Sequence, residues 1–250
     1  MTSLRTPGTP LIRMGTVTST MDIARHLENL GAVDGTTVIA ASQTHGRGRS
    51  NRIWSSPAHA GLYCSILLRP HLPAEQFKPF SIAAGLAVCE ALDPGNRIGI
   101  QLKWPNDILY QGRKLGGILI STALGGQIVT SAVLGIGLNL RFDPTHPPAS
   151  IALEAVSGIP HQLLSSPEQC FLSAISTRYA QLAAGEIPPI ADWPERLAFR
   201  GDHVSILEGR STISGVLQGL DFDGSLILHT PAGKCRIASG ELTRGPLLTR

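Results

Sequence analysis

Apolar and polar positions change their spacing several times along the chain, and each change marks an element. Ser19 or Thr20 caps a helix predicted over Met21 to Asn29, which Gly31 stops. Thr37-Val38-Ile39-Ala40-Ala41 reads as a strand that delivers the chain to a loop, Gln43 to Arg52. Leu62 to Leu68, bounded by Gly61 and Pro70, is a second strand. From Ala74 to Leu92 the apolar residues Phe77, Phe80, Ile82, Ala84, Leu86, Val88 and Leu92 predict a helix. Ile98 to Lys103 and Asp107 to Tyr110 read as strands flanking a Trp104-Pro105-Asn106 turn. Gly116 to Ile120 and Ile128 to Ile136 form a further strand pair around Gly125-Gly126, and a proline-rich loop follows at Asp143 to Pro148.

Two helices are predicted next, over Glu168 to Leu182 and Asp192 to Phe199. Beyond Gly201 the texture shifts to short strands at Val204 to Leu207, Thr212 to Leu217, Leu226 to Leu228 and Lys234 to Ile237. Gly209, Asp223-Gly224 and Gly233 separate them, and Asp-Gly between apolar runs is a hairpin signal. The expectation is an α+β chain with a central mixed β-sheet flanked by helices and a small C-terminal β-barrel. Its parts are a lead-in at 1–14, a main domain at 15–199 and the barrel at 200–250.

The 250 residues suffice for that arrangement, and 42% hydrophobic residues suit a globular core. Lys plus Arg exceed Asp plus Glu by 21 to 18, and a net charge of +3 is too mild to imply a nucleic-acid protein. Cys64, Cys89, Cys170 and Cys235 are scattered, with no CxxC pair and no Cys/His cluster. They read as reduced thiols of a cytoplasmic protein, without a zinc site or a disulfide framework. Met1 to Pro10 lacks the apolar segment of a signal peptide, and no apolar run reaches the ~20 residues of a membrane helix.

Three stretches carry candidate chemistry. In Gln43 to Pro57, Gly46 and Gly48 allow close backbone approach to an anion, while Arg47, Arg49 and Arg52 offer forked donors. No Gly-Lys-Ser/Thr follows, and Asn51 stands where a dinucleotide fingerprint needs glycine. A basic surface loop, with casual RNA binding, is the competing reading; Trp54 beside it weighs against that. In Lys103-Trp104-Pro105-Asn106-Asp107, Trp and Pro make a rigid corner where Asn106 and Asp107 can bond a base, a ribose or water. Lys114, next to Gly116-Gly117, suits a point charge aimed at a substrate anion, although an exposed turn lysine is the commoner case. In Val133 to Leu140, Gly135 and Gly137 weaken a strand unless backbone must pass close to something, and Asn139 could face a ligand. Packing alone would account for these glycines as well.

Taken in order, Gly-Arg-Gly-Arg leading to Trp-x-Ser-Pro, Lys-Trp-Pro-Asn-Asp, Lys-Leu-x-Gly-Ile-Leu and Gly-x-Gly-x-Asn resemble the biotin protein ligase family. The similarity runs from about Ser19 to the C-terminal barrel. It implies the class II synthetase-like catalytic fold, activation of biotin with ATP to biotinyl-5'-AMP, and transfer of biotin to a lysine of a biotin carboxyl carrier protein. Mg2+ is expected with the ATP, its ligands unknown.

The resemblance also implies roles. Ser19, Thr20, Met21 and Gln43 match the pocket of the biotin ureido ring. Gly46, Arg47, Gly48 and Arg49 match the loop that closes over the adenylate, and Trp54 a tryptophan packed near it. Asn106, Asp107 and Asn139 match positions near the nucleotide. Lys114, beside Gly116, matches the lysine on the reacting carboxylate and α-phosphate, so Lys114, Arg47 and Arg49 are the catalytic candidates. Ile66, Ile118 and Ile136 are candidates for biotin's apolar slot, though apolar strand residues are core by default.

The chain departs from several relatives where Ser50-Asn51 replaces a further Arg-Gly, which bears on loop closure. With about twenty residues ahead of the Ser-Thr turn, no helix-turn-helix and no DNA-binding role are expected. A homodimer through a free sheet edge remains open. The rival readings are a lipoate or octanoate ligase and a non-catalytic RNA-binding module, which leaves Lys114 and Asn139 without a task.

Overall fold

A computed structural model describes residues 7–186 and 194–245. One sheet holds eight strands: β1 (Leu11–Val17), β2 (Thr37–Gln43), β3 (Gly61–Leu68), β4 (Leu72–Pro73), β5 (Ile100–Lys103), β6 (Asp107–Tyr110), β7 (Arg113–Gly125) and β8 (Ile128–Asn139). They pair in the order β1-β2-β3-β8-β7-β6-β5, with β4 also on β8. β1 runs parallel to β2 and the remaining pairs are antiparallel, so the sheet is mixed as expected.

Helices cover both faces of this sheet: α1 (Thr20–Asn29) on one, α3 (Phe80–Leu92) and α5 (Pro167–Ala183) on the other. Strand alternation decides which residue faces which helix. Leu62, Cys64, Ile66 and Leu68 of β3 join the core with α3 and α5, whereas Leu67 turns to Met21 and Ala24 of α1. β8 divides the same way, with Leu134, Ile136 and Leu138 on the first side and Val133 on the second.

The C-terminal strands are β9 (His203–Glu208), β10 (Ser211–Leu220), β11 (Leu226–Thr230), β12 (Gly233–Ile237) and β13 (Glu241–Arg244). They form an antiparallel sheet in the order β12-β11-β10-β9-β13, which is what stands where a small barrel was expected. Its inner residues Val204, Ile206, Leu217, Leu228 and Leu242 belong to the same apolar core as α3 and α5.

Four expectations are corrected. Leu11–Val17, read mostly as lead-in, is strand β1; residues 1–6 lie outside the described chain. Only Val17 of β1 is buried, so pairing with β2 rather than apolar burial holds it, and the apolar pattern could not reveal it. The helix predicted over Ala74 to Leu92 is broken into α2 (Ala74–Phe77) and α3, with Pro79, which lacks an N–H, at the α3 N-cap. Of the helix predicted over Asp192 to Phe199, residues 192 and 193 lie outside the described chain, and Pro194–Arg196 is a single 3-10 turn. Finally, β13 and the short helix α4 (His161–Ser165) had no counterpart in the pattern.

That 3-10 turn carries a brace for the strand leading to the site. Asp93, at the end of α3, accepts backbone N–H bonds from Arg97 and Ile98 on one oxygen and from Gly99 and Ile100 on the other, at 2.8–3.1 Å. Arg196 donates to the backbone oxygens of Asp93, Cys89 and Ile100. Burial alone would raise the Asp93 carboxyl, but the four N–H donors outweigh it and hold the pKa below the usual carboxylate range. Asp93→Asn turns one acceptor into a donor facing two amides and should cost roughly 3 kcal/mol in denaturant unfolding at neutral pH. With the folded value lowered, the contribution is complete above the unfolded value of about 3.9 and is lost as pH falls through the folded value. The gap between Asp93→Asn and the parent chain should therefore close on acidification; a gap independent of pH would refute the assignment.

Candidate active site

The sheet, α1, the 43–57 loop and the C-terminal sheet enclose a cavity of about 520 Å³. All of the predicted site residues line it except Gly46 and Gly116. Ile118 and Ile136 of the proposed apolar slot line it too, whereas Ile66 does not and is fully buried in the core.

At one end, Ser19 caps α1, its hydroxyl accepting from the Met21 N–H at 3.3 Å. The Thr20 N–H donates to Gln43 Oε1 at 2.8 Å, and Thr20 Oγ1 lies 2.8 Å from Ser65 Oγ. Gln43 Nε2 donates to Ser56 Oγ at 2.8 Å. This chain of short polar side chains is rigid because each one positions the next. Met21 reaches over β8, where a Cβ on Gly135 would come within 2.8 Å of its sulfur. Cys64 also lines this region; burial pushes its thiol pKa up, so it is a neutral wall rather than a nucleophile.

The middle of the cavity is built on Trp54 and Lys114. The Trp54 indole lies against β8, where a Cβ on Gly137 would stand 2.5 Å from the ring. That close approach is what the second glycine of the Gly-x-Gly-x-Asn stretch provides. The Lys114 ammonium sits 5.3 Å from the centre of the indole and 2.6 Å from Asp107 Oδ1. Its backbone is fixed on both sides, with Lys114 N donating to Ala149 O and Ile151 N donating to Lys114 O, each at 2.9 Å. Asn139 lines the cavity but directs its amide N–H to Lys114 O and Ile151 O, so here it braces the lysine segment. Asn106 Nδ2 likewise donates to Ile118 O.

The arginine loop is a hairpin. Trp54 N donates to Gly46 O, Arg47 bridges to Ile53, and Gly48 N donates to Arg52 O. Ser50 and Asn51 form its tip with φ of 54° and 60°, left-handed values that asparagine tolerates better than serine. Arg47 pairs with Asp22 of α1 at 2.7 Å. Arg49 donates to Asn106 Oδ1 and to Gly240 O, each at 3.4 Å, and Arg52 pairs with Glu241.

The sequence reading missed the C-terminal part of this wall, Leu207, Gly240, Glu241 and Leu242, because no motif marks it and the contacts exist only once β9 and β13 are folded. It also missed His146 and Ser150, which the fixed 149–151 segment brings in. Trp54 Nε1 and His146 Nε2 are buried without a partner, as polar atoms are where a ligand or solvent completes the bonding.

This arrangement can hold an anionic substrate, with Ser19, Thr20 and Gln43 as polar groups and Lys114, Arg47 and Arg49 as cations on the same cavity. Among the described residues no cluster of three or more His, Cys, Asp or Glu could cage a metal ion. Two carboxylates, Asp107 and Glu241, face the cavity.

Residues 14–139 match the Biotin/lipoate A/B protein ligase family, and residues 201–242 match the Biotin protein ligase C terminal domain. The chain is 33% identical over 225 residues to the biotin--[acetyl-CoA-carboxylase] ligase of Paracoccus denitrificans, covering 83% of this chain and 90% of that one. It is 31% identical over 252 residues to the bifunctional ligase/repressor BirA of Bacillus subtilis, covering 95% and 75% respectively. Among solved structures, the biotin protein ligase from Aquifex aeolicus in complex with biotin and ATP superposes with a TM-score of 0.77 at 28% identity, covering 94% of this chain and 99% of that one.

Proposed function

The chain belongs to the biotin protein ligase family, and from that premise we infer how its own residues carry out the reaction. It is a ligase that activates biotin with ATP and biotinylates carboxyl carrier proteins. In the first step a biotin carboxylate oxygen attacks the α-phosphorus of ATP and pyrophosphate leaves. In the second, an acceptor lysine amine attacks the biotinyl carbonyl and AMP leaves. The lipoate reading and the RNA-binding reading are not favoured.

The observation that carries the residue assignment is the position of Lys114 between Trp54 and Asp107 of the Asn106–Asp107 corner, in one cavity with Ser19, Thr20 and Gln43. We assign biotin's ring to the end where Ser19, Thr20 and Gln43 offer both donors and acceptors and Ile118 and Ile136 supply apolar walls. The reacting carboxylate and α-phosphate then meet at Lys114, and Arg47 and Arg49 swing from Asp22 and Asn106 to offset the charge of the two anions. Trp54 and the Asn106–Asp107 corner take the nucleotide.

Magnesium keeps several waters and needs few protein ligands when a triphosphate supplies the rest. Asp107 and Glu241 fit that requirement, and Mg2+ would neutralise phosphate charge there. The acceptor is assigned as the carrier domain of a biotin-dependent carboxylase such as acetyl-CoA carboxylase, in the cytoplasm. No helix among the described residues is long and apolar enough to cross a membrane. A second copy would add at β1, the exposed end of the eight-stranded sheet.

The test is exchange of labelled pyrophosphate into ATP with biotin or lipoate and no acceptor present. Exchange is expected with biotin and not with lipoate. Exchange with lipoate alone would overturn the substrate assignment, and exchange with neither would overturn adenylation.

A further inference from the structure

All four residues of the corner Trp104-Pro105-Asn106-Asp107 line the cavity, but the indole N–H of Trp104 is anchored outside it, in the C-terminal sheet. Trp104 is 2% exposed, and its indole Nε1–H donates to the backbone oxygen of Gly224 at 3.0 Å. Gly224 belongs to the turn between β10 and β11 and has φ of +83°, a conformation that glycine adopts without strain. The same turn presses on α3: a Cβ on Gly224 would lie 3.0 Å from Ile82.

Charge fixes the turn in place. Asp223 Oδ2 is 2.9 Å from Lys78 Nζ, between α2 and α3, and 2.5 Å from Arg236 of β12. Its two oxygens also accept the Ser225 N–H and hydroxyl, each at 3.0 Å. Burial by itself would raise this carboxyl, yet the Lys78, Ser225 and Arg236 donors hold it far below the usual range. The turn is therefore fastened to the main domain and to its own sheet, and Trp104 reads its position through one hydrogen bond.

We propose that Trp104 and the Asp223–Gly224 turn are positioning elements for the nucleotide: the C-terminal sheet sets where Asn106 and Asp107 stand through the Trp104–Gly224 hydrogen bond. Neither Asp223 nor Gly224 lines the cavity, so they act through the corner and not on substrate. The biotin end, built on α1, β2 and β3, shares no hydrogen bond with this turn among the described residues. The effect should accordingly fall on ATP and spare biotin. This inference rests on the ligase reading, and biotin-dependent exchange in the unsubstituted chain tests that reading separately.

The experiment compares the full chain with Trp104→Phe, which keeps an aromatic ring of smaller size and removes the donor, and with Lys78→Gln, a half-exposed position whose loss loosens the Asp223 turn from outside. Pyrophosphate exchange gives KM for ATP and kcat, calorimetry gives Kd for biotin, and thermal unfolding reports stability. Trp104→Phe should raise KM for ATP about tenfold and Lys78→Gln about threefold, each with biotin Kd within twofold of the parent. A KM for ATP unchanged within twofold in both variants would overturn the proposal. So would equal weakening of ATP and biotin, which is what general loosening of the fold produces. If Trp104→Phe does not fold, Lys78→Gln alone decides by the same criterion.

Discussion

Replacing Lys114 by alanine should lower biotin-dependent pyrophosphate exchange by a hundredfold or more, about 3 kcal/mol of transition-state stabilisation. Adenylation brings a carboxylate and a polyphosphate together, and a cation held between them offsets their repulsion. One ion pair at ~4 Å is worth about 4 kcal/mol at an effective dielectric of ~20, before desolvation takes its share. Lys114 is suited to this because its backbone is bonded on both sides and its ammonium is flanked by Trp54 and Asp107. Removing it has a second consequence, since Asp107 is left as an uncompensated carboxylate facing the incoming phosphates. That carboxylate is also assigned to the nucleotide and its Mg2+, so Asp107→Asn alone should lower exchange, and adding it to Lys114→Ala should not recover the loss. Steady-state exchange rates on the two single variants and the double variant check this. A loss below about threefold in Lys114→Ala would remove the lysine from the catalytic set.

Legibility in the sequence followed the kind of interaction involved. Buried alternating strands such as β3 were readable because a two-sided core imposes its period on the residues. β1 was not, because it is held by backbone pairing at an exposed edge, and its Arg13, Gly15 and Thr16 carry no such imprint. The cavity residues supplied by motifs were readable for a different reason. Close approach of Trp54 to Gly137 forbids any side chain there, and that prohibition survives as a glycine. The C-terminal wall formed by Gly240 and Glu241 left no comparable mark, because Gly240 O and a single carboxylate meeting Arg49 and Arg52 constrain few residue types. Asn139 shows the limit from the other side: the motif matched it to a position near the nucleotide, and only the fold shows its amide bracing Lys114 and Ile151.

The loop's first glycine should be nearly as sensitive as the lysine. Gly46 does not line the cavity, and its constraint is steric: a Cβ there would lie 2.4 Å from Trp54 O, 2.7 Å from Ser56 Oγ and 3.0 Å from Gln43 Nε2. The nearest of these is backbone and cannot rotate away. Gly46→Ala must therefore open the base of the hairpin, where Trp54 N bonds Gly46 O, and disturb the Gln43–Ser56 contact behind it. Arg47, Arg49 and Trp54 would all shift, so exchange should fall about a hundredfold, as for loss of a preorganised charge. A second effect separates this variant from Lys114→Ala. Arg49 and Arg52 tie the hairpin to Gly240 and Glu241 of the C-terminal wall, and a hairpin fastened to that wall can shield a mixed anhydride from water. Biotinyl-adenylate loaded onto Gly46→Ala should therefore be released or hydrolysed several-fold faster than on the parent chain, while on Lys114→Ala its lifetime should change little. Chasing labelled adenylate from each protein measures this directly. Slow exchange with an unchanged adenylate lifetime in Gly46→Ala would mean that the hairpin places charge but is not the cover, and parent-like values for both would mean the loop accommodates the methyl group without moving.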